Sequence, residues 1–281
     1  MQNKSRLHIL FIFIFLLLFG ACTAQIPKPH TISLTCPAPT QSQKGQLLPR
    51  LCFRPNAVPL EKIVAENNIT VGTPLYIRIF KQEKILELWA KRKEHYVLLK
   101  SYPICKYSGK LGPKQRSGDR QAPEGVYALT RKSLQPNSHY HLALNIDYPN
   151  RYDRQHRRTG DLIMIHGKCS SIGCFAMGDH QIEEIYHMVE AAFHHGVKLI
   201  YVSIYPFRMD EAHLSRRRHS YWYPFWKNLQ EGYQMFEATH VPPFTAVCKG
   251  RYTFRKRGKD LTVMQEGNIT KEQNLTNLTK N

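Results

Sequence analysis

Ile165-His166-Gly167-Lys168-Cys169-Ser170-Ser171-Ile172-Gly173-Cys174 is the stretch on which the reading of this chain turns. An apolar run, Leu162-Ile163-Met164-Ile165, ends in a histidine, and a short loop then leads to a cysteine behind Ser-x-Gly. A short apolar run followed by glycine reads as a strand, so His166 stands at a strand end, next to a loop. A cysteine attacks as thiolate, which requires a base or a positive neighbour. Glycine directly before it lets the backbone turn sharply and aim amide N–H groups at a substrate oxygen. Cys174 is therefore the candidate nucleophile and His166 the candidate general acid and base. The carbonyl of Gly167 is a candidate for orienting the imidazole. The segment reads as a site for acyl transfer.

Two rival readings share these residues. The chain holds 14 histidines, and one on an apolar strand is more often a satisfied core residue than a base. His166, Cys169, Cys174 and His180 are all competent zinc ligands, but their spacing matches no common structural zinc pattern. Cys169 and Cys174 are also close enough in sequence for a short-loop disulfide, which would act as a redox lock.

Working outward, Leu75-Tyr76-Ile77-Arg78-Ile79-Phe80 and Ile85-Leu86-Glu87-Leu88-Trp89 are partly alternating runs joined by a polar turn, which predicts a hairpin. Tyr96 to Ile104, Val126 to Thr130, His141 to Leu144 and Leu162 to Ile165 predict further strands. Gly109 to Gly125 is a long loop of glycine, proline and charge. After the cysteine the period changes. Ile182, Ile185, Tyr186, Val189 and Phe193 define one helical face, with Asp179 as expected N-cap and Gly196 as C′ residue. Val197 to Tyr205 predicts a buried closing strand. Many short strands with one inserted helix predict a mainly β domain over residues 60–210.

The flanks differ. Lys4 and Arg6 precede an apolar stretch from Ile9 to Phe19, and Gly20-Ala21-Cys22 offers small residues for cleavage. That stretch is shorter than the ~20 residues a membrane span needs, so residues 1–24 are read as an export signal. Phe19-Gly20-Ala21-Cys22 also resembles a bacterial lipobox, which makes Cys22 a candidate lipid anchor. Residues 25–59 form a Pro-, Gln- and Ser-rich tether. Residues 211–281 form a basic, aromatic extension with short helices, ending in a polar tail expected to be disordered.

Export bears on the seven cysteines, most of which should pair or be modified in an oxidising compartment. Cys36 and Cys52 are the simplest disulfide candidates. With Cys22 lipidated and Cys174 free, an odd set of five remains, so one more thiol stays free. The formal net charge of +19 favours anionic partners, with basic clusters at Arg151–Arg158, Arg216–Arg218 and Lys249–Lys259. Nucleic acid is excluded as a partner on the ground of export. For each cluster the plain alternative is a solvated basic face.

The chain resembles the YkuD-type L,D-transpeptidases of bacterial cell walls, and most closely their YafK-like branch. The resemblance rests on Gly109-Lys110-Leu111-Gly112-Pro113-Lys114, Ala122-Pro123-Glu124-Gly125-Val126-Tyr127, Asn145, Tyr148-Pro149-Asn150, Ile163 to Gly167, Ser171 to Met177, and Ser203-Ile204-Tyr205-Pro206-Phe207. It implies a β-sandwich catalytic domain with Cys174 as nucleophile, His166 as base and the Gly167 carbonyl as orienter. It further implies an oxyanion hole from the backbone N–H groups of Ile172, Gly173 and Cys174, supported by Ser171. The expected substrate is a peptidoglycan stem peptide, attacked at a diaminopimelate carbonyl to give a thioester, in the periplasm or cell envelope. An amine acceptor then gives a cross-link or attached protein; water gives hydrolysis. No metal or organic cofactor is expected, because thiolate, imidazole and backbone donors suffice. Two positions depart from the broad family pattern: Ile172 replaces a histidine, and Ala176 replaces Arg or Asn. In the YafK-like branch some members act as amidases that release wall-linked lipoprotein, so hydrolase is the alternative. A catalytically inactive wall-binding module is the alternative from another class.

Overall fold

The computed structural model describes residues 59–257. The expected export signal, nearly all of the expected tether, the terminal tail and cysteines 22, 36 and 52 lie outside them. In chain order the elements are α1 (Leu60–Glu66), β1 (Leu75–Phe80), β2 (Ile85–Arg92), β3 (His95–Pro103), β4 (Lys106–Tyr107), β5 (Gly125–Leu129), β6 (Leu134–Ser138) and β7 (His141–Asn145). There follow α2 (Arg151–Gln155), β8 (Met164–His166), β9 (Phe175–Ala176), α3 (Asp179–His194), β10 (Ile200–Tyr205), α4 (Glu211–Ser215), α5 (Tyr223–Thr239), β11 (Phe244–Cys248) and β12 (Arg251–Arg255).

Two five-stranded sheets make the framework, in the orders β3-β2-β1-β10-β5 and β4-β9-β8-β7-β6. The expected hairpin is β1–β2, antiparallel with Phe80 opposite Ile85. The closing run is β10, parallel to β1 and antiparallel to β5. Inner faces alternate as side chains in strands must. Leu75, Ile77, Ile79, Leu86, Leu88 and Ala90 from the first sheet join Leu144, Ile165 and Phe175 from the second in one buried core. Each such aliphatic contributes about 1.5–3 kcal/mol by leaving water. Helix α3 adds Ile182, Ile185, Val189 and Phe193 to this core, the face its sequence period predicts.

At the start of α3 the structure corrects the expectation. Gly178 is the N-cap and Asp179 the first helical residue. Asp179 instead turns its carboxylate to the loop before it, accepting from Lys168 N–H at 2.6 Å. Two side-chain links hold α3 to both sheets: Lys100 on β3 to Glu184 at 2.7 Å, and His141 on β7 to Glu183 at 2.7 Å.

All six residues of β1 are buried, which one packed face alone cannot explain. Tyr76, Arg78 and Phe80 point away from the inter-sheet core and are covered by the chain after Phe207. Tyr76 packs on Phe236 of α5 at 4.8 Å between ring centroids. Arg78 lies between Glu87 and Glu237, 2.7 and 2.5 Å away, under aromatic rings from Trp89, Tyr233 and Phe236. Where short helices were expected, this region holds the five-residue α4, the 17-residue α5 and the β11–β12 hairpin.

The loop from Gly109 to Gly125 is fixed by a buried ion pair. Lys81 Nζ, at the start of the β1–β2 connection, donates to Glu124 Oε1 at 2.9 Å, Gly112 O at 2.8 Å and Ala122 O at 3.0 Å. Both side chains are fully buried. Glu124 Oε2 accepts from Trp226 Nε1 of α5 at 2.8 Å, and its Oε1 accepts from Gly112 N–H at 2.7 Å. Every donor and acceptor of the pair is thereby used, which is the condition under which a buried ion pair is tolerable.

Candidate active site

Strand β8 carries the histidine and β9 begins one residue past the cysteine. The two strands are parallel, with Ile165 opposite Phe175 and His166 opposite Ala176. Ile165 and Phe175 face the core. Alternation then places Met164, His166, Cys174 and Ala176 together on the other face. Cys174 is level with Met164, and its Sγ accepts from Met164 N–H at 3.4 Å and lies 3.5 Å from Leu162 O. The thiol and the imidazole therefore emerge from adjacent strands on one sheet face, two register positions apart. On both flanks of His166 the facing residues are alanines, Ala143 and Ala176, fully buried and small enough to leave the ring its space.

The ring is held from its far side. His166 Nδ1 is 2.6 Å from Gly167 O. A carbonyl only accepts, so Nδ1 carries the proton and Nε2 is the free, basic nitrogen. Tyr140 packs against the imidazole with 4.5 Å between centroids. Burial holds the His166 pKa below the ordinary histidine range, with the Gly167 hydrogen bond opposing it. Gly167 admits no side chain. A Cβ there would come within 2.6 Å of Tyr140 O, 2.7 Å of Asp179 Oδ1 and 3.0 Å of His141 Cβ.

Cys174 is half-buried, with a free thiol. Burial pushes its pKa up; the Met164 N–H and the charge of Lys114 pull it down. At rest both partners are thus biased to their neutral forms, a thiol and an imidazole able to take its proton. The turn into the cysteine uses Gly173 at φ +145°, a conformation that side chains rarely adopt. Ser171 clamps that turn, its Oγ donating to Cys174 O at 2.7 Å and accepting from Gly173 N–H at 3.3 Å. The Gly173 N–H is thus already engaged, which narrows the expected three oxyanion donors to Ile172 and Cys174. The Ile172 side chain is 75% exposed and stands at the rim, while Ala176 is buried beside the imidazole.

Cysteine 169 is bonded to Cys105, between β3 and β4, and this changes two expectations from the sequence. It removes Cys169 from the four-residue zinc set, and it replaces the short-loop Cys169–Cys174 disulfide. The bond instead ties the loop between His166 and Cys174 to the residue just before β4, the strand that pairs with β9. Among the described residues, Cys248 is a second free thiol and is exposed.

Two participants were not singled out as site residues from the sequence. Lys114, in the Gly109–Gly125 loop, is buried, its Nζ 2.5 Å from Asp119 Oδ1 and 2.9 Å from Arg116 O. Tyr140 precedes β7 and has no period or motif to mark it. Lys114 did fall within a motif, but nothing in its spacing says that the loop returns to the cysteine.

The L,D-transpeptidase catalytic domain family, YkuD, matches residues 74–204, from the first strand through β10. "Putative L,D-transpeptidase YafK" of Escherichia coli strain K12 is 50% identical over 186 residues, 66% of this chain and 76% of that protein. The chain belongs to the L,D-transpeptidase catalytic domain family. The same identity and coverage hold for the protein of that name from Escherichia coli O157:H7. Among solved structures, the helical cell shape determining protein Pgp2 of Campylobacter jejuni aligns with a TM-score of 0.39 at 16% identity, covering 72% of this chain and 85% of that one. Bd1075 of Bdellovibrio bacteriovorus aligns with a TM-score of 0.33 at 23% identity, over 58% and 62% of the two chains. Within the YkuD domain, β8, β9 and the loop between them hold His166, Cys174 and the Ser171–Gly173 turn.

Proposed function

We propose that this YkuD-family protein is an exported, peptidoglycan-modifying cysteine acyl-transfer enzyme. Cys174 attacks the diaminopimelate carbonyl of a stem peptide. As the Sγ–carbon bond forms, the thiol proton passes to His166 Nε2 and the carbonyl becomes an oxyanion facing the N–H groups of Ile172 and Cys174. Collapse expels the amine, which takes its proton from His166, and leaves a thioester on Cys174. An acceptor amine or water then attacks the thioester, with His166 now as base.

The observation that supports this reading is that a free, half-buried thiol and an imidazole whose Nδ1 is bound to Gly167 O stand on one face of the β8–β9 register. The YkuD membership supports the reaction class and the wall as substrate. Export, and an envelope address with Cys22 as possible lipid attachment, rest on the N-terminal sequence alone.

Incubating the purified protein with wall sacculi and weighing the released and retained muropeptides tests the reading. Cross-links between two diaminopimelate residues, absent with Cys174→Ala, mark transfer to an amine. Freed lipoprotein or trimmed stems, again lost with Cys174→Ala, mark transfer to water. Product profiles identical in the wild type and Cys174→Ala would leave the protein without the proposed chemistry.

A further inference from the structure

Two of the basic clusters lie far apart in sequence, and the fold joins them. At the tip of the β11–β12 hairpin, Gly250 N–H donates to Gln155 Oε1 of α2 at 2.9 Å, across 95 residues. The His156 ring lies against the same glycine, 3.5 Å from where a Cβ would stand. Underneath, Tyr152 and Tyr252 stack with centroids 4.5 Å apart, and Tyr252 Oη accepts from Asn150 Nδ2 at 2.9 Å. Helix α2 and the hairpin are thus one plate with a packed underside, and Arg151, Arg154, Arg157, Lys249 and Arg251 on and beside these elements are exposed, Arg154 also donating to Pro149 O.

The plate continues toward the cysteine. Thr159 N–H donates to Gln115 O at 3.1 Å, and Ser117 N–H donates to Thr159 Oγ1 at 3.2 Å. These bonds lay the segment after α2 along the loop that holds exposed Arg116 and buried Lys114, the cation whose charge acts on Cys174. Nearby acids offset part of this charge: Asp147, just before α2, feels the charge of Arg154. Asp153 is buried against Arg158 and Asp119 is held by Lys114. Glu231 meets Arg251 only at 3.4 Å, and Asp161 is the exposed acid of the same stretch.

We propose that this plate is a docking surface for a carboxylate-bearing polymer, the unreacted stem peptides of peptidoglycan, and that it leads the polymer to the rim at Cys174. The proposal rests on the wall-acting reading above. Exposed guanidinium groups spaced along a rigid surface suit repeated carboxylates, each of which a planar fork can bind with two hydrogen bonds. A wall polymer is favoured over an anionic bilayer because the plate runs into the loop beside the nucleophile. A strand lying along it would present one stem to the thiol, whereas a bilayer pressed on it would cover the same rim.

The test uses the full chain carrying Arg157→Glu and Lys249→Glu, neither of which belongs to the catalytic machinery. Retention on purified sacculi, measured in a Cys174→Ala background, should weaken about tenfold at low salt. Its salt dependence should flatten, because fewer charges remain to be screened. Turnover of a short soluble stem tetrapeptide by the otherwise wild-type double variant should keep its kcat/KM. The neutral pair Arg157→Gln and Lys249→Gln should fall between, which separates charge from misfolding. Unchanged sacculus retention overturns the proposal. So does a loss confined to phosphatidylglycerol vesicles, which would make the plate a membrane surface. If the wild type fails to process any stem peptide, the acyl-transfer reading fails, yet the retention measurement still decides the plate.

Discussion

His166 Nδ1 and Gly167 O lie 2.6 Å apart, so the imidazole is oriented by the backbone of the residue that follows it rather than by a carboxylate. A neutral orienter does little to raise the basicity of the ring. The imidazole stays neutral to lower pH than an ordinary histidine, and in the proposed reaction the thiol needs it only as a proton acceptor during attack.

The pH profile follows from that arrangement. Burial lowers the His166 pKa, so the acid limb of kcat/KM should fall below the ordinary histidine value of about 6.5. The folded value is the depressed one, so the unfolded chain binds more protons between the two values. His166 therefore favours the fold above the unfolded histidine value and loses that contribution as pH drops toward the folded one. A kcat/KM profile with its acid limb above about 7 would contradict this.

At Gly167 even one methyl group should be damaging. Its Cβ would strike the backbone oxygen of Tyr140 and the carboxylate that receives Lys168 N–H. Gly167→Ala should cost about 1–3 kcal/mol in denaturant unfolding, as overpacking does, and lower kcat by displacing the orienting carbonyl. A variant with wild-type stability and rate would show the crowding to be unimportant.

The Cys105–Cys169 bond closes a loop across a sequence separation of 64 and fixes the segment between His166 and Cys174. Cys105→Ser should lose about 2–4 kcal/mol of stability. At a temperature where the variant remains folded, kcat should fall more than KM rises, because the geometry of the pair suffers before binding does. Loss of stability with unchanged kcat would mean that the bond serves the fold alone.

Removing one member of the Lys81–Glu124 pair should be among the most damaging changes in the domain. Lys81→Met leaves a fully buried carboxylate without its charge partner, and the expected cost is about 3–5 kcal/mol. The Gly109–Gly125 loop, which rests on that pair, should then become accessible to protease. A loss near zero on unfolding would show that the network of Gly112, Ala122 and Trp226 suffices without the cation.

The parts of this molecule that sequence reveals are those with a period. Strands β1, β2 and β10 and helix α3 carry runs long enough to show alternation or a helical stripe, and their residues face as those patterns require. Strands β4 and β9 have two residues each and cannot display a period, so the register that sets Cys174 level with Met164 was invisible. The Cys105 partner of Cys169 was equally hidden, since pairing depends on where β3 ends in space. The double burial of β1 has its cause in α5, more than a hundred residues later, as the Arg78–Glu237 bond across 159 residues shows. At the candidate site, His166, Gly167, Cys174 and the Ser171–Gly173 turn were legible because they are contiguous. Lys114 and Tyr140 were not, because only the fold brings their segments to the imidazole and the thiol.

In the proposed reaction the sulfur of Cys174 becomes acylated with the help of the His166 imidazole. Mass measurement of the protein after rapid mixing with a soluble stem tetrapeptide, followed by acid quench and peptide mapping, reads this directly. An acyl adduct is expected on the peptide containing Cys174, abolished by Cys174→Ala and formed at least about a hundredfold more slowly with His166→Ala. Substrate turnover with no adduct on Cys174, or an adduct that forms at the wild-type rate without His166, would contradict it.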